Sequence, residues 1–205
     1  MIRYTYALDL DRIPDLAADM FRDRTTQFRD RMGWDVTVDD LGWETDEYDA
    51  MDPLYVIAED AQGCHAGSMR FLPTTGPTML GDVFGHLMGG APLRSPVIWE
   101  CTRFCLSPEA GPGVARKLLI AACRLGLDMG LSHSVAVFDD QMARVYRRLG
   151  WAPEIIGSAD GISAGIWAFT PEIHDDLCRR AGIEASETRR WFEAAFGDLA
   201  LSPAA

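Results

Sequence analysis

Residues 97–105 read VIWECTRFC and set Glu100 and Arg103 inside an apolar, aromatic and β-branched run bounded by Pro96 and Ser107-Pro108. Such a run reads as a buried strand, where a charge without a partner or a task is costly. Other charges fall at positions that read as buried or half-buried: Arg24, Asp46, Asp49 and Arg70. Three carboxylates (Asp46, Asp49, Glu100) and three arginines (Arg24, Arg70, Arg103) can neutralise one another around a cleft, because the guanidinium fork pairs bidentately with carboxylate. A purely structural ion-pair network has the same composition. A second chemical feature is SPEAGPGVARKLL, residues 107–119, a glycine-rich turn opening a helix at Gly111, Gly113 and Val114. Free backbone N–H groups and the helix dipole suit phosphate or pyrophosphate there. A plain strand-to-helix connection is the simpler alternative.

The elements that must position these residues follow from periodicity. Ile13 to Met32 reads as one helix, with Leu16, Met20, Arg24 and Phe28 at four-residue steps on one face. Residues 33–53 form an irregular, compact loop rich in carboxylates, and its aromatics Trp34, Trp43 and Tyr48 argue against full solvation. Strands are expected at 54–60 and 64–72, joined by a Gln62-Gly63 turn, with Arg70 mid-strand. Residues 73–96 form a long Gly- and Pro-rich connection, with helical spacing of Leu80, Phe84, Leu87 and Met88. After the 97–105 strand come a helix from Val114, a strand at 133–138 and a helix from Asp140 to Leu149, stopped by Gly150. Two closing strands and two helices, 171–181 and 184–196, complete the chain. This order predicts an α/β fold: a mixed sheet with helices on both faces.

The chain has 205 residues with hydrophobic residues at 48% and charged residues at 24%, which fits a single folded domain, 1–205, with helices 171–197 as an appendage. A net charge of −12 sets nucleic acid aside as a partner. Five cysteines match no zinc spacing and read as reduced thiols, so no metal is expected. No leader and no membrane span are evident, and a cytoplasmic location is expected.

Arg24, Phe28 and Trp34, then ETDEYD with Glu44, Asp46 and Asp49, then Arg70, PTML, Phe84 and WECTRF together resemble the acyl-homoserine-lactone synthases, the autoinducer synthases of bacterial quorum sensing. Order and spacing match over the first half of the chain. The second half matches through RRLGW, 147–151, and Thr102 stands where the family usually has serine. The resemblance implies a fold similar to the GNAT N-acetyltransferases: a mostly antiparallel sheet with a V-shaped splay between two central strands. It implies S-adenosylmethionine and an acyl thioester (acyl carrier protein or acyl-CoA) as substrates, with no cofactor. Under it, Glu100 takes the amine proton, Phe28 and Trp34 hold the sulfonium, and one of Arg24, Arg70 or Arg103 holds the carboxylate. Asp46 and Asp49 orient those arginines, Gly111, Gly113 and Val114 bind phosphopantetheine, and Phe84 and Ala136 line the substrate pocket. Basic landing patches for an acidic carrier include Arg116-Lys117, Arg144 with Arg147 and Arg148, Arg179-Arg180 and Arg189-Arg190. Several family members making 3-oxo products carry threonine where Ala136 aligns, so alanine points to an unsubstituted chain or another donor such as an acyl-CoA. An ordinary GNAT acetyltransferase using acetyl-CoA and a non-catalytic binding module are the competing readings.

Glu100 and Arg103 are three apart, so a regular strand sends them to opposite faces. Service in one cleft requires a β-bulge at Cys101 or Thr102, which would also free an N–H for an oxyanion.

Overall fold

The computed structural model describes residues 1–197. Seven strands form one sheet in the order β1-β2-β3-β4-β5-β7-β6. They are β1 (Ile2–Tyr6), β2 (Leu54–Glu59), β3 (His65–Pro73), β4 (Ile98–Leu106), β5 (His133–Asp139), β6 (Glu154–Ala159) and β7 (Ile162–Ala168). Every neighbouring pair is antiparallel except β4 and β5. That parallel pair holds register only over Ile98↔His133, Trp99↔Ser134 and Glu100↔Val135. Both strands continue past this point without a shared rung, and the sheet forks.

Helices cover both faces. On one lies α1 (Pro14–Arg24), packed on Tyr55 and Ile57 of β2. The same face carries the short α2 (Met79–Asp82), whose Leu80 joins Leu87 and Val135. On the other lies α3 (Val114–Asp128), whose Leu118, Ala122 and Leu125 are buried against the sheet, as the 3.6-residue stripe requires. Next come α4 (Met142–Leu149), α5 (Pro171–Ala181) and α6 (Ala185–Phe196). Leu177 and Cys178 of α5, with Trp191 and Phe192 of α6, enter the same core as α3.

Three local features differ from the periodicity reading. An N-terminal edge strand, β1, pairs with β2, burying Ile2 and Tyr4 on alternate positions. The helix expected to run unbroken to Met32 changes at Thr25 into a π-helix, Thr25–Arg31, in which the Met32 N–H reaches the Gln27 carbonyl at 3.1 Å. Such widened turns occur mostly at functional sites. The single expected helix in 73–96 is instead α2 followed by a 3₁₀ turn, Gly85–Met88. That turn lies so close to β6 that a Cβ on Gly157 would come 2.0 Å from the Leu87 carbonyl oxygen, so only glycine fits. The described cysteines are all free thiols.

Candidate active site

The carboxylate-rich loop after the π-helix folds back over β3 and β4. Asp46 and Asp49 fix it with a reciprocal capping box: the Tyr48 N–H donates to Asp46 at 3.0 Å and the Asp46 N–H to Asp49 at 2.9 Å. These carboxylates then meet the arginines. Arg24, 1% exposed at the end of α1, donates through Nε to Glu44 at 2.6 Å and through both Nη atoms to Asp49 at 2.9 Å. Arg70 of β3 grips Asp46 at 2.5 and 2.8 Å, lies 2.7 Å from Asp49 and gives its Nε to the Thr102 hydroxyl at 2.9 Å. Arg103 of β4 reaches Glu44 at 2.8 Å and Asp46 at 2.7 Å. Tyr55 completes the shell with a 2.5 Å hydrogen bond to Asp49.

Burial opposes the charge on Arg24, but its bonds to Asp49 and the charges of Asp49 and Glu44 outweigh it and hold the guanidinium ionised. Asp49 is likewise disfavoured by burial, yet Arg24 and Arg70 hold it well below the usual carboxylate range.

The carboxylates of this lattice are Glu44, Asp46 and Asp49, so Glu100 is not the third member that the sequence suggested. Glu44 is fully buried at 0% exposure, but among the many acids of residues 39–52 its type alone gives it no prominence. Glu100, also at 0%, accepts the N–H groups of Met79 at 2.9 Å and Leu80 at 2.6 Å, pinning the first turn of α2 to the sheet. Burial pushes its pKa up to about 7, against the opposing pull of those two N–H groups and of the Arg70 charge. Met79, which sequence reasoning overlooked, joins the two groups: its N–H meets Glu100 and its Sδ accepts from Arg103 Nη1 at 3.4 Å.

β4 carries the bulge that lets one face hold all of this. Ser68 pairs with Cys105 and Arg70 with Thr102, so one more residue lies between the rungs on β4 than on β3. Arg103 takes the strained left-handed conformation at φ 51°. Thr102 and Arg103 therefore both reach the lattice, while Phe104 turns away to stack on Tyr146 at 6.2 Å. The expected bulge exists, but at Arg103 rather than at Cys101 or Thr102.

Phe28 is buried, stacked on Trp34 at 5.2 Å with the rings 9° from parallel, and the Arg103 guanidinium lies 5.4 Å from its centroid. Trp34, 39% exposed, keeps open surface. Phe84 sits half-buried in the apolar cluster around Leu80 and Val135. Ala136 lies across the sheet from Glu100, in a cavity of about 30 Å³ with Met69, Phe71, Cys101, Ser134 and Trp151 among its walls. Gly111, Gly113 and Val114 line a separate cleft of about 400 Å³ with Arg116 and Lys117, opposite Glu59 and Asp60. Gly113 stands at φ 90°, and no side chain caps the α3 N-terminus, so its first N–H groups are open to a ligand. Arg179 and Arg180 are engaged by Asp176 on their own helix. Among the described residues no cluster of His, Cys, Asp and Glu could hold a metal ion, and no helix is long and apolar enough to cross a membrane.

A sheet forked between parallel central strands, with a glycine turn opening the helix that follows the first of them, defines the architecture of the GNAT acyltransferases. A putative N-acetyltransferase from Lactobacillus plantarum shares this fold with a TM-score of 0.56 at 16% identity, covering 83% of this chain and 98% of that one. The charged face narrows the class. Residues 10–169 match the autoinducer synthase family. An acyl-homoserine-lactone synthase of Rhizobium etli is 44% identical over 172 residues, 78% of this chain and 79% of the relative. The structure described as a CoA-dependent acyl-homoserine lactone synthase, MesI, superposes with a TM-score of 0.80 at 27% identity, covering 90% of this chain and 97% of that one. The chain belongs to the autoinducer synthase family, and it is an acyltransferase of the acyl-homoserine-lactone synthase kind.

Proposed function

We propose that this enzyme acylates the amine of S-adenosylmethionine from a thioester and then closes the homoserine lactone, releasing methylthioadenosine. The observation that supports this reading best is Glu100, a buried carboxyl with a pKa near 7 at the last rung before the fork, beside a lattice of arginines. An α-amine is mostly protonated at neutral pH and cannot attack until it loses that proton. Glu100 takes it, directly or through one water, using lone pairs not engaged by Met79 and Leu80. The amine forms the C–N bond, the tetrahedral intermediate collapses, the C–S bond breaks and the thiolate leaves with the proton. Beyond Glu100, β4 has no rung with β5, and backbone N–H groups on that edge are the candidate oxyanion donors.

Arg103 is the arginine assigned to the substrate carboxylate. Arg24 and Arg70 have every nitrogen committed to oxygen, whereas Arg103 Nη1 has only the Met79 sulfur. Asp46 and Asp49 are positioning residues that orient the arginines. Trp34 offers the sulfonium a ring face, while Phe28 backs Trp34 and Arg103. In the second step the held carboxylate displaces neutral methylthioadenosine from its own γ-carbon, so a near-attack shape is the main contribution. The cleft at Gly111 and Gly113, with Arg116 and Lys117, takes a phosphate of the donor arm, which acyl carrier protein and CoA share. These substrates place the reaction in the cytoplasm.

Incubation with S-adenosylmethionine and a panel of acyl-carrier-protein and acyl-CoA thioesters, followed by mass spectrometry, tests this. The expected products are an acyl-homoserine lactone and methylthioadenosine in equal amounts. Acylation of other amines without methylthioadenosine would overturn the reading.

A further inference from the structure

The cavity on the far side of the fork holds one buried side-chain oxygen left without a hydrogen bond. Ser134 Oγ is buried and has no hydrogen-bond partner. The surrounding side chains give it none. Met69, Phe71, Leu119 and Ala136 are apolar, the Trp167 indole N–H is already given to the Trp151 carbonyl at 3.1 Å, and the Tyr146 hydroxyl, also in the wall, makes no hydrogen bond to it. Burial holds the Cys101 thiol neutral, leaving it a weak partner at best. An unpaired buried hydroxyl bears its full desolvation penalty. Besides this hydroxyl the walls carry only the Tyr146 hydroxyl and the Cys101 thiol, so a trapped water would have few partners and an entering acyl chain would displace it.

Position suggests what the hydroxyl meets. Ser134 pairs with Trp99 one rung before Glu100↔Val135, where the fork opens; on the synthase reading the thioester enters at that opening, beside Glu100. Ala136, the next residue of β5 on that face, is two positions further on, past the last shared rung. The hydroxyl therefore faces the first carbons of the acyl chain rather than its tail.

We propose that Ser134 is a specificity-determining residue that hydrogen-bonds an oxygen substituent, keto or hydroxyl, at C3 of the acyl group. The proposal rests on the synthase reading above and reverses the expectation drawn from Ala136: the hydroxyl absent at 136 is supplied from 134. A site built to bond a substrate oxygen discriminates against the analogue lacking it, because its own polar group is then left unpaired.

The test measures kcat/KM with thioesters of one chain length, unsubstituted, 3-oxo and 3-hydroxy, for the wild type and Ser134→Ala. The wild type is expected to favour at least one oxygenated donor over the unsubstituted one by roughly 10-fold, the factor corresponding to about 1.4 kcal/mol. Ser134→Ala is expected to erase that preference while keeping turnover of the unsubstituted donor and a melting temperature no lower than wild type. Ser134→Cys, with a weaker donor, should fall between. A wild type that favours the unsubstituted chain or shows no preference would overturn the proposal, as would an alanine variant that keeps the preference. Absence of lactone and methylthioadenosine with every donor would instead overturn the synthase reading, and this proposal with it.

Discussion

The two faces of the sheet at the fork treat polar groups in opposite ways. On the α1 face, six charged side chains are interlocked, and nearly every donor already has an oxygen partner. On the α3 face, an apolar cavity leaves one hydroxyl with none. A saturated lattice spends its groups on one another, so most of its members position, and its one incomplete contact, Arg103 Nη1, together with Glu100 outside it, is where substrate is expected. In the dry cavity there is little to position, and the unsatisfied hydroxyl is where a substrate oxygen is expected.

The sharpest way to break this contrast is at Arg24. Replacing it with Met leaves three buried carboxylates to share the two remaining arginines, one negative charge uncompensated, and a loss of about 3–5 kcal/mol in urea unfolding is expected. A loss under 1 kcal/mol would mean that the lattice is not what holds that face together. Glu100→Gln is expected to keep the fold by circular dichroism and to lower kcat by about 10²-fold or more; near-normal turnover removes Glu100 from the chemistry.

The same residue makes a pH prediction. Between the ordinary 4.5 and about 7, folded Glu100 keeps a proton that the unfolded chain has released. Its contribution to stability is therefore lost as pH rises through that window, by roughly 3 kcal/mol at 1.36 kcal/mol per pH unit. Asp49, with its pKa depressed, works in the other direction and loses stability as pH falls. Glu100→Gln should thus gain on the wild type in chemical unfolding between pH 5 and pH 8, and a constant difference across that range would contradict the raised pKa. Arg103→Lys is expected to raise KM for S-adenosylmethionine about 10-fold with a smaller change in kcat, since lysine cannot bridge Glu44 and Asp46 while holding a substrate carboxylate. Equal losses in both parameters would move Arg103 from binding into the chemical step.

Much of this arrangement was legible in the sequence, for identifiable reasons. Charges inside VIWECTRFC called for partners or a task, and a three-residue spacing required a bulge if both were to serve one cleft; sequence could not choose between that and opposite faces, nor among neighbouring positions, and the structure has the bulge at Arg103. Arg24 was visible through its place on an apolar helical face. Glu44 entered only as part of the family motif and was given no role, because a buried acid in an acidic loop has no periodic signature. Met79, quoted only within PTML, was given no role because it acts through its backbone N–H and a soft sulfur, which residue type does not advertise. The π-helix leaves no pattern distinct from an α-helix over so short a run, and β1 is a five-residue edge strand at a chain end, too brief for alternation to stand out. Ser134 became conspicuous only when its surroundings could be seen to lack a partner.

The bulge also bears on how this site can change. Arg103 is the position where β4 carries one residue more than its partner strand needs. An in-frame deletion of that single codon would let Thr102 and Phe104 fall into an unbroken ladder and would remove a left-handed arginine. Such a deletion is expected to straighten the strand while dismantling the clamp on Glu44 and Asp46, so local regularity and activity are set against each other within three nucleotides.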